Sequence, residues 1–353
     1  MASGVGTSIE DLERYLREHH LRGAGIQRAG DPPPPREGYA AGLWKWDDLY
    51  PALEQAGKLV SIGMSEGGSD GMVGMRVVTP LGHGRPIHMD AQILMPGERT
   101  RAHRNMKSES RLVLSAPPEA VFVCENEGFP MERGDVIVSP TWTNHDHWNR
   151  GDEPAVFVDA YDTGYSSLGA DLNERFPVDA PYQTLTKPAG FAQRTLGHVQ
   201  ASAGGPSYPS SPTRYPLPPM RYPWSETSAA LDALRESEAD GDPADGLHLT
   251  FRSPVDGGPT LPTMAWGVQL LRPHEKTGGH RHNSTTFYHV FEGDGAVEIE
   301  GERLEWAAGD FFFVPPWTWH HHEHRGSGGD AVLFSVDDWP AMTKLGFYKR
   351  EPA

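Results

Sequence analysis

Apolar residues in this chain come in short runs, each cut off by Gly, Pro or Asp. Before the midpoint the runs are Ala91–Met95, Arg111–Leu114, Ala120–Cys124, Val136–Val138 and Val156–Val158. After it they are Trp266–Leu271, Phe287–Phe291, Ala296–Ile299 and Phe311–Val314. Runs of this length, rich in β-branched and aromatic residues and bounded by turn formers, predict strands of a layered β fold. Helical periodicity is confined to two places. Leu12, Tyr15 and Leu16 form a stripe within Ser8–Leu21, with Ser8 and Asp11 spaced as a helix-start pair, and Glu226–Glu236 reads as a second helix. Asp31 and the four prolines after it end any helix and open an extended arm towards Ala40. Gly204–Trp224, rich in Pro, Ser and Tyr, reads as a linker. The expected division is an arm over residues 1–70, a β block over 71–200, a linker with helix over 201–245, and a second β block over 246–353.

The two β blocks repeat each other. Gln92 precedes His103 by eleven residues, and Gln269 precedes His280 by the same interval. Gly134-Asp135 stands before Pro140 as Gly309-Asp310 stands before Pro315, and Ala155-Val156-Phe157 answers Ala331-Val332-Leu333. The reading is a duplicated module of jelly-roll type: all-β, two barrels of short antiparallel strands with small helical additions.

Each copy carries a histidine signature. The second has His280-Arg281-His282 and then Pro315-Pro316-Trp317-Thr318-Trp319-His320. Alternate residues of a strand point the same way, so His280 and His282 can reach one ion, and His320 arrives from a later strand. The first copy has His103-Arg104-Asn105 and Pro140-Thr141-Trp142-Thr143-Asn144-His145, with an amide in place of the middle imidazole. Three neutral imidazoles on one face suit a divalent first-row metal with open positions. An amide oxygen at Asn105 is a weaker donor, and Glu109 is an alternative carboxylate ligand.

With 31 basic against 48 acidic residues the chain is anionic, net charge −17, which disfavours nucleic acid or an anionic membrane as main partner. A single cysteine, Cys124, fits a reducing cytoplasm and reads as a buried small hydrophobe. No signal-like or membrane-length apolar stretch occurs, so the expectation is a soluble intracellular protein.

Over roughly Met75 to Tyr348 the chain resembles the bicupin gentisate and salicylate 1,2-dioxygenases. The resemblance rests on Gly309-Asp310, the Pro-Pro-Trp-Thr-Trp-His run, His280 to Gly293, and the tails Ala331–Ser335 and Leu345–Tyr348. It implies an Fe(II) enzyme that uses O₂ to open the ring of a small aromatic acid between the carboxylate-bearing and hydroxyl-bearing carbons. Gentisate is the default substrate, with 5-substituted salicylates such as 5-nitrosalicylate as options. It also implies a homo-oligomer, a tetramer in the family, whose arm could wrap a neighbour. In the family the first barrel holds the iron. Carried over by position, its ligands are His103, Asn105 and His145. Gln92 and Arg76 then contact substrate, with His88 near the pocket, and Arg111, His147 and Asp159 form the catalytic set. Arg111 would match the substrate carboxylate, and His147, held by Asp159, would manage a proton.

Ligand quality favours the second barrel and pocket chemistry the first. Tyr288 and Ser335 stand in the second barrel where Arg111 and Asp159 stand in the first. The expectation is that chemistry stays in the first barrel with an altered ligand set. Two other functional classes are compatible with a duplicated barrel of this kind. A cupin isomerase without O₂ chemistry would be separated by oxygen uptake. A non-catalytic binding bicupin is disfavoured by Arg111, His147 and Asp159 occurring together. His83, His274, His289, His321 and His324 read as structural or exposed residues, and Trp142, Trp317 and Trp319 as packing.

Overall fold

The computed structural model describes residues 5–24, 40–60, 62, 77–80, 86–166, 173–191, 218–237, 241–326 and 328–353. Arg76, His83, the extended stretch 31–39 of the expected arm and much of the linker lie outside these residues.

Four sheets account for the described strands, all paired antiparallel except one isolated parallel bridge. In the first barrel a seven-stranded sheet runs Leu21–Ala24, Val77–Pro80, His88–Leu94, Ala155–Tyr161, Glu109–Ser115, Val136–Ser139, Met220–Tyr222. Facing it are Asn173–Arg175, His103–Asn105, His145–Trp148, Val121–Cys124 and Glu127–Pro130. The second barrel repeats the plan. Its larger sheet contains Leu247–Thr250, Ala265–Leu271, Ala331–Asp337, Thr286–Glu292, Phe311–Val314 and Gly42–Trp44. Its smaller sheet contains Glu302–Ala307, Asp294–Ile299, His320–His324, His280–His282 and Arg350–Pro352. Even the ladder irregularities correspond: a register shift at Val156/Phe157 recurs at Val290/Glu292.

Side chains alternate between two environments. Leu94, Val113, Phe122, Ile137 and Phe157 fill the floor of the first barrel; Leu271, Val290, Val297, Phe312 and Leu333 fill that of the second. The outward residues of both larger sheets, such as Ile93, Leu112, Trp266, Phe287 and Phe334, join one apolar cluster between the barrels. At that seam the Trp266 indole N–H donates to Ser110 Oγ at 2.7 Å.

The expected helices are present as Ile9–Glu18, with Ser8 Oγ accepting from the Asp11 N–H, and Trp224–Glu236. A third, Trp46–Leu59, was not anticipated; Pro51 lies within it and interrupts the helical pattern. It extends the duplication. Strand Gly42–Trp44 pairs onto the second barrel and Met220–Tyr222 onto the first, while the helix after each packs back on the barrel it precedes, Trp46–Leu59 on Val77–Pro80 and His88–Leu94, Trp224–Glu236 on Leu247–Thr250. The anchors match. Asp310 accepts from the Trp46 N–H and Lys45 Nζ, as Asp135 accepts from the Trp224 N–H and Arg221 Nε. Gly309 (φ 95°) and Gly134 (φ 88°) lie under Trp46 and Trp224, where a Cβ would come within 2.7 and 2.6 Å of the indoles. Each barrel's larger sheet is thus completed by a strand that precedes the other barrel. No helix among the described residues is long and apolar enough to cross a membrane.

Candidate metal centres

The same local device aims the histidines in both barrels. On His103–Asn105 and His280–His282 the outer residues are buried and the central arginine is not, as a period of two requires. The third histidine follows a turn in which Trp142 and Trp317 both take φ 62°, a left-handed conformation that strains a bulky residue. Hydrogen bonds hold that turn. The Trp142 N–H donates to the Asn105 carbonyl at 2.8 Å and the Trp317 N–H to that of His282 at 2.6 Å. Thr143 and Thr318 hydroxyls donate to the carbonyls of Pro140 and Pro315 at 2.6 and 2.7 Å. The turn then presents the Thr143 and Thr318 carbonyls to Nδ1 of His145 and His320, both at 3.0 Å. With Nδ1 donating outward, Nε2 carries a lone pair aimed into the barrel.

In the second barrel the ligand atoms of His280, His282 and His320 all lie within 4.8 Å of one another. His282 Nδ1 lies 3.1 Å from the Ser284 carbonyl, and buried His320 Nε2 has no hydrogen-bond partner. Burial, and then each ring's histidine neighbour, pushes all three down to about 3, so they are neutral near pH 7. Lone pairs converging in a buried space repel unless a cation takes them up, so this donor set fits a divalent metal. The site opens on a cavity of about 490 Å³ whose wall includes Gln269, Tyr288, Ser335, Asp245 and Arg350. Arg350 comes from the tail strand, where it pairs in register with His282. Its Nη2 contacts Asp245 at 2.6 Å and Asp242 at 3.3 Å.

In the first barrel the corresponding group is His103, Glu109 and His145, again within 4.8 Å. Asn105 does not offer its oxygen inward. Its Nδ2 donates to Glu109 Oε1 at 2.7 Å while Oδ1 accepts the Lys107 N–H at 3.0 Å. The carboxylate that sequence left as an alternative is the acidic member of the group. Glu109 Oε2 lies 3.0 Å from His145 Nε2 and 2.8 Å from Arg111 Nη2. Burial would raise Glu109, but His145, Arg111 and His103 outweigh it and hold its carboxyl well below the usual range.

Arg111 is the hub of this interior and is fully buried. Its Nε donates to His147 Nε2 at 2.7 Å and lies 3.0 Å from Asp159 Oδ1, Nη1 donates to Ser139 Oγ at 2.8 Å, and the guanidinium stacks on Phe122. Arg111 therefore already has two carboxylate partners. His147 is tied to Arg111 and not to Asp159. Burial, then Arg111, holds its pKa well below the usual value, and its Nε2 lone pair is engaged. Asp159, pushed by burial up to about 7, accepts from Gln92 Nε2 at 2.5 Å and from the Tyr161 hydroxyl at 3.1 Å. His88 is half-buried, 3.7 Å from Asp90 and tilted against Tyr161. The set expected around the first metal thus comes together, but chiefly as partners of one another. Asp245 and Arg350 were not anticipated; each is remote in sequence from the histidine signature, and only the hairpin 241–246 and the tail strand bring them to it.

A cupin domain model matches the chain twice, at residues 91–161 and 267–337, one match in each barrel. The 5-aminosalicylate 1,2-dioxygenase of a Comamonas species is 35% identical, over 90% of this chain and 83% of that protein. A gentisate 1,2-dioxygenase of a Haloferax species is 32% identical, over 96% and 95%. Among solved structures, salicylate 1,2-dioxygenase from Pseudoaminobacter salicylatoxidans with gentisate superposes with a TM-score of 0.74 at 25% identity, covering 90% of this chain and 86% of that one. Likeness of this extent, on a duplicated barrel with two converging metal-ligand groups, places the chain in the family of ring-cleaving bicupin 1,2-dioxygenases.

Proposed function

We propose that this protein uses Fe(II) and O₂ to cleave the ring of a salicylate-type acid between its carboxylate-bearing and hydroxyl-bearing carbons, and that the reaction takes place in the second barrel. The observation that carries this placement is the pairing of three neutral, convergent imidazoles with an open cavity at His280, His282 and His320. The first barrel offers two imidazoles and a carboxylate already neutralised by Arg111. A guanidinium so close to the would-be ion disfavours a dication there. Bound iron supplies chelation of the acid and activation of O₂. The protein's part is to hold three imidazoles neutral and aimed, to shape a cavity of the size small ligands occupy, and to keep one side of it apolar. Tyr288 stacked on Phe312 at 4.7 Å forms such a wall.

Gln92, Arg111, His147 and Asp159 become, on this reading, a polar core that braces the first barrel around Glu109. The relatives named above act on gentisate and 5-aminosalicylate, both salicylates carrying a group at the ring position para to the hydroxyl. A 5-substituted salicylate is therefore the substrate class we assign. Cytoplasmic location and a homo-oligomer, a tetramer on the family pattern, belong to the same proposal. The deciding experiment is His280→Ala beside His103→Ala, with bound iron and oxygen uptake measured in each. Iron and turnover should vanish in the first variant, by about a thousandfold or more in rate, and persist in the second. Loss of both in His103→Ala alone would return the chemistry to the first barrel.

A further inference from the structure

The polar contacts at the mouth of the second barrel follow an unusual pattern. Asp245 sits between the histidine group and the cavity's arginine: its Oδ1 lies 3.5 Å from His280 Nε2 and its Oδ2 lies 2.6 Å from Arg350 Nη2. A carboxylate bridging a ligand-histidine edge and a guanidinium stands where the carboxylate of a chelating hydroxy acid would have to bind. Resting on the second-barrel placement above, we infer that Arg350 is the residue that binds the substrate carboxylate and that Asp245 is an internal carboxylate which holds this berth until substrate displaces it.

The surroundings are built for such an exchange. Asp245 belongs to a tight turn, closed by Gly246 N–H to the Asp242 carbonyl at 2.7 Å and Asp242 N–H to the Gly246 carbonyl at 2.8 Å. Gly241 (φ 76°) and Gly246 (φ 67°) supply the left-handed positions at its ends. The Asp245 backbone is pinned separately, its carbonyl accepting from Gln269 Nε2 at 2.6 Å, so the side chain can turn away without unfolding the turn. Asp242 stays behind. Its Oδ1 caps the turn through the Ala244 N–H at 2.8 Å and reaches Arg350 at 3.3 Å, which keeps the guanidinium at the cavity.

Side-chain exposure is 34% for Arg350 and 23% for Asp245, a solvent-screened pair that contributes little to stability and is cheaply parted. An incoming acid restores the same charge-assisted contact and adds its own chelation, so the exchange conserves the ion pair at Arg350 while the Asp245 carboxylate moves towards water. The first barrel shows the contrast: Arg111, buried against Glu109 and Asp159, has no screened partner to give up.

The test is anaerobic titration of the iron-loaded protein with salicylate and with phenol, which lacks the carboxylate, in Asp245→Asn and Arg350→Gln. Asp245→Asn should tighten salicylate by about threefold, because the competing charge is gone. Arg350→Gln should weaken it by about tenfold or more and leave phenol unchanged. Equal salicylate affinity in Arg350→Gln and the unaltered protein would overturn the role of Arg350. Weaker salicylate binding in Asp245→Asn would overturn the displacement and make Asp245 a contributor to the site. Iron content and thermal midpoint certify each variant, and Arg350→Lys, which keeps the charge but not the fork, replaces Arg350→Gln should that variant lose either. Full salicylate affinity in His280→Ala would instead sink the second-barrel placement, whatever Arg350 does.

Discussion

Arg111 and Tyr288 occupy equivalent strand positions in the two barrels, and each determines what its barrel interior can hold. Arg111 draws Glu109, Asp159, His147 and Ser139 onto itself in a buried polar network beside the first histidine pair. Tyr288 lies flat against Phe312 and needs no counter-charge, which leaves the second interior open to a cavity reached by a half-exposed arginine. The same fold, with the same strained tryptophan turn, thus carries one interior crossed by a buried charge network and another that opens on a cavity beside its imidazoles. A buried guanidinium that has gathered its carboxylates is a structural centre, because freeing it for a ligand would strand charges away from water.

The largest expected effect tests that statement directly. Arg111→Met should destabilise the fold by about 3–5 kcal/mol, since Glu109 and Asp159 lose their buried cation. Tyr288→Phe should cost less than about 1 kcal/mol. Chemical denaturation of the two variants reads the difference. Comparable losses would mean that both interiors depend equally on their polar residues.

A second contrast lies on the outward face. Leu112 in the first barrel corresponds to His289 in the second; both are buried, and His289 packs against Phe311 of the apolar cluster between the barrels. Burial, and then Arg133, pushes His289 down to about 3, below the ordinary 6.5, so the unfolded chain takes up a proton that the fold refuses. Its contribution is complete above pH 6.5 and is lost as pH falls from there towards 3. At pH 5 the loss is about 2 kcal/mol. Making the second barrel like the first, with His289→Leu, should therefore flatten the fall of thermal midpoint between pH 7 and pH 5. An unchanged slope would show that this histidine takes up its proton equally in the folded and unfolded chain.

The smallest effect concerns the shared turn. Thr143→Val and Thr318→Val each remove one hydroxyl-to-carbonyl hydrogen bond, worth about 1 kcal/mol of stability. The two losses should be alike by thermal unfolding. Only Thr318→Val should also weaken iron retention against a chelator, because only that turn aims a histidine at the proposed ion. Equal chelator sensitivity would break the division of labour between the barrels.

Much of this molecule is written in local sequence. Strands such as Ala265–Leu271 and Phe311–Val314 are legible because a buried strand needs a short apolar run and a turn to end it. His280 and His282 share a direction because a strand has a period of two, and the Pro-x-Trp-Thr turn repeats with its histidine because one backbone geometry serves both copies. The partners of the charged groups are not written there. Asn105 reads as a donor to metal, and only the fold turns its amide towards Glu109 and the Lys107 N–H. His147 and Asp159 look like a proton-handling pair, until Arg111 is found between them. Which barrel carries Gly42–Trp44 is equally invisible, because pairing to Phe311–Val314 depends on an edge left open far along the chain. Residue type and spacing determined the duplicated barrels and the convergence of the histidines, since both follow from backbone periodicity. The balance of buried charge, and so which groups each interior presents, was decided only by tertiary structure, because electrostatic partners are chosen by distance in space and not by separation in sequence.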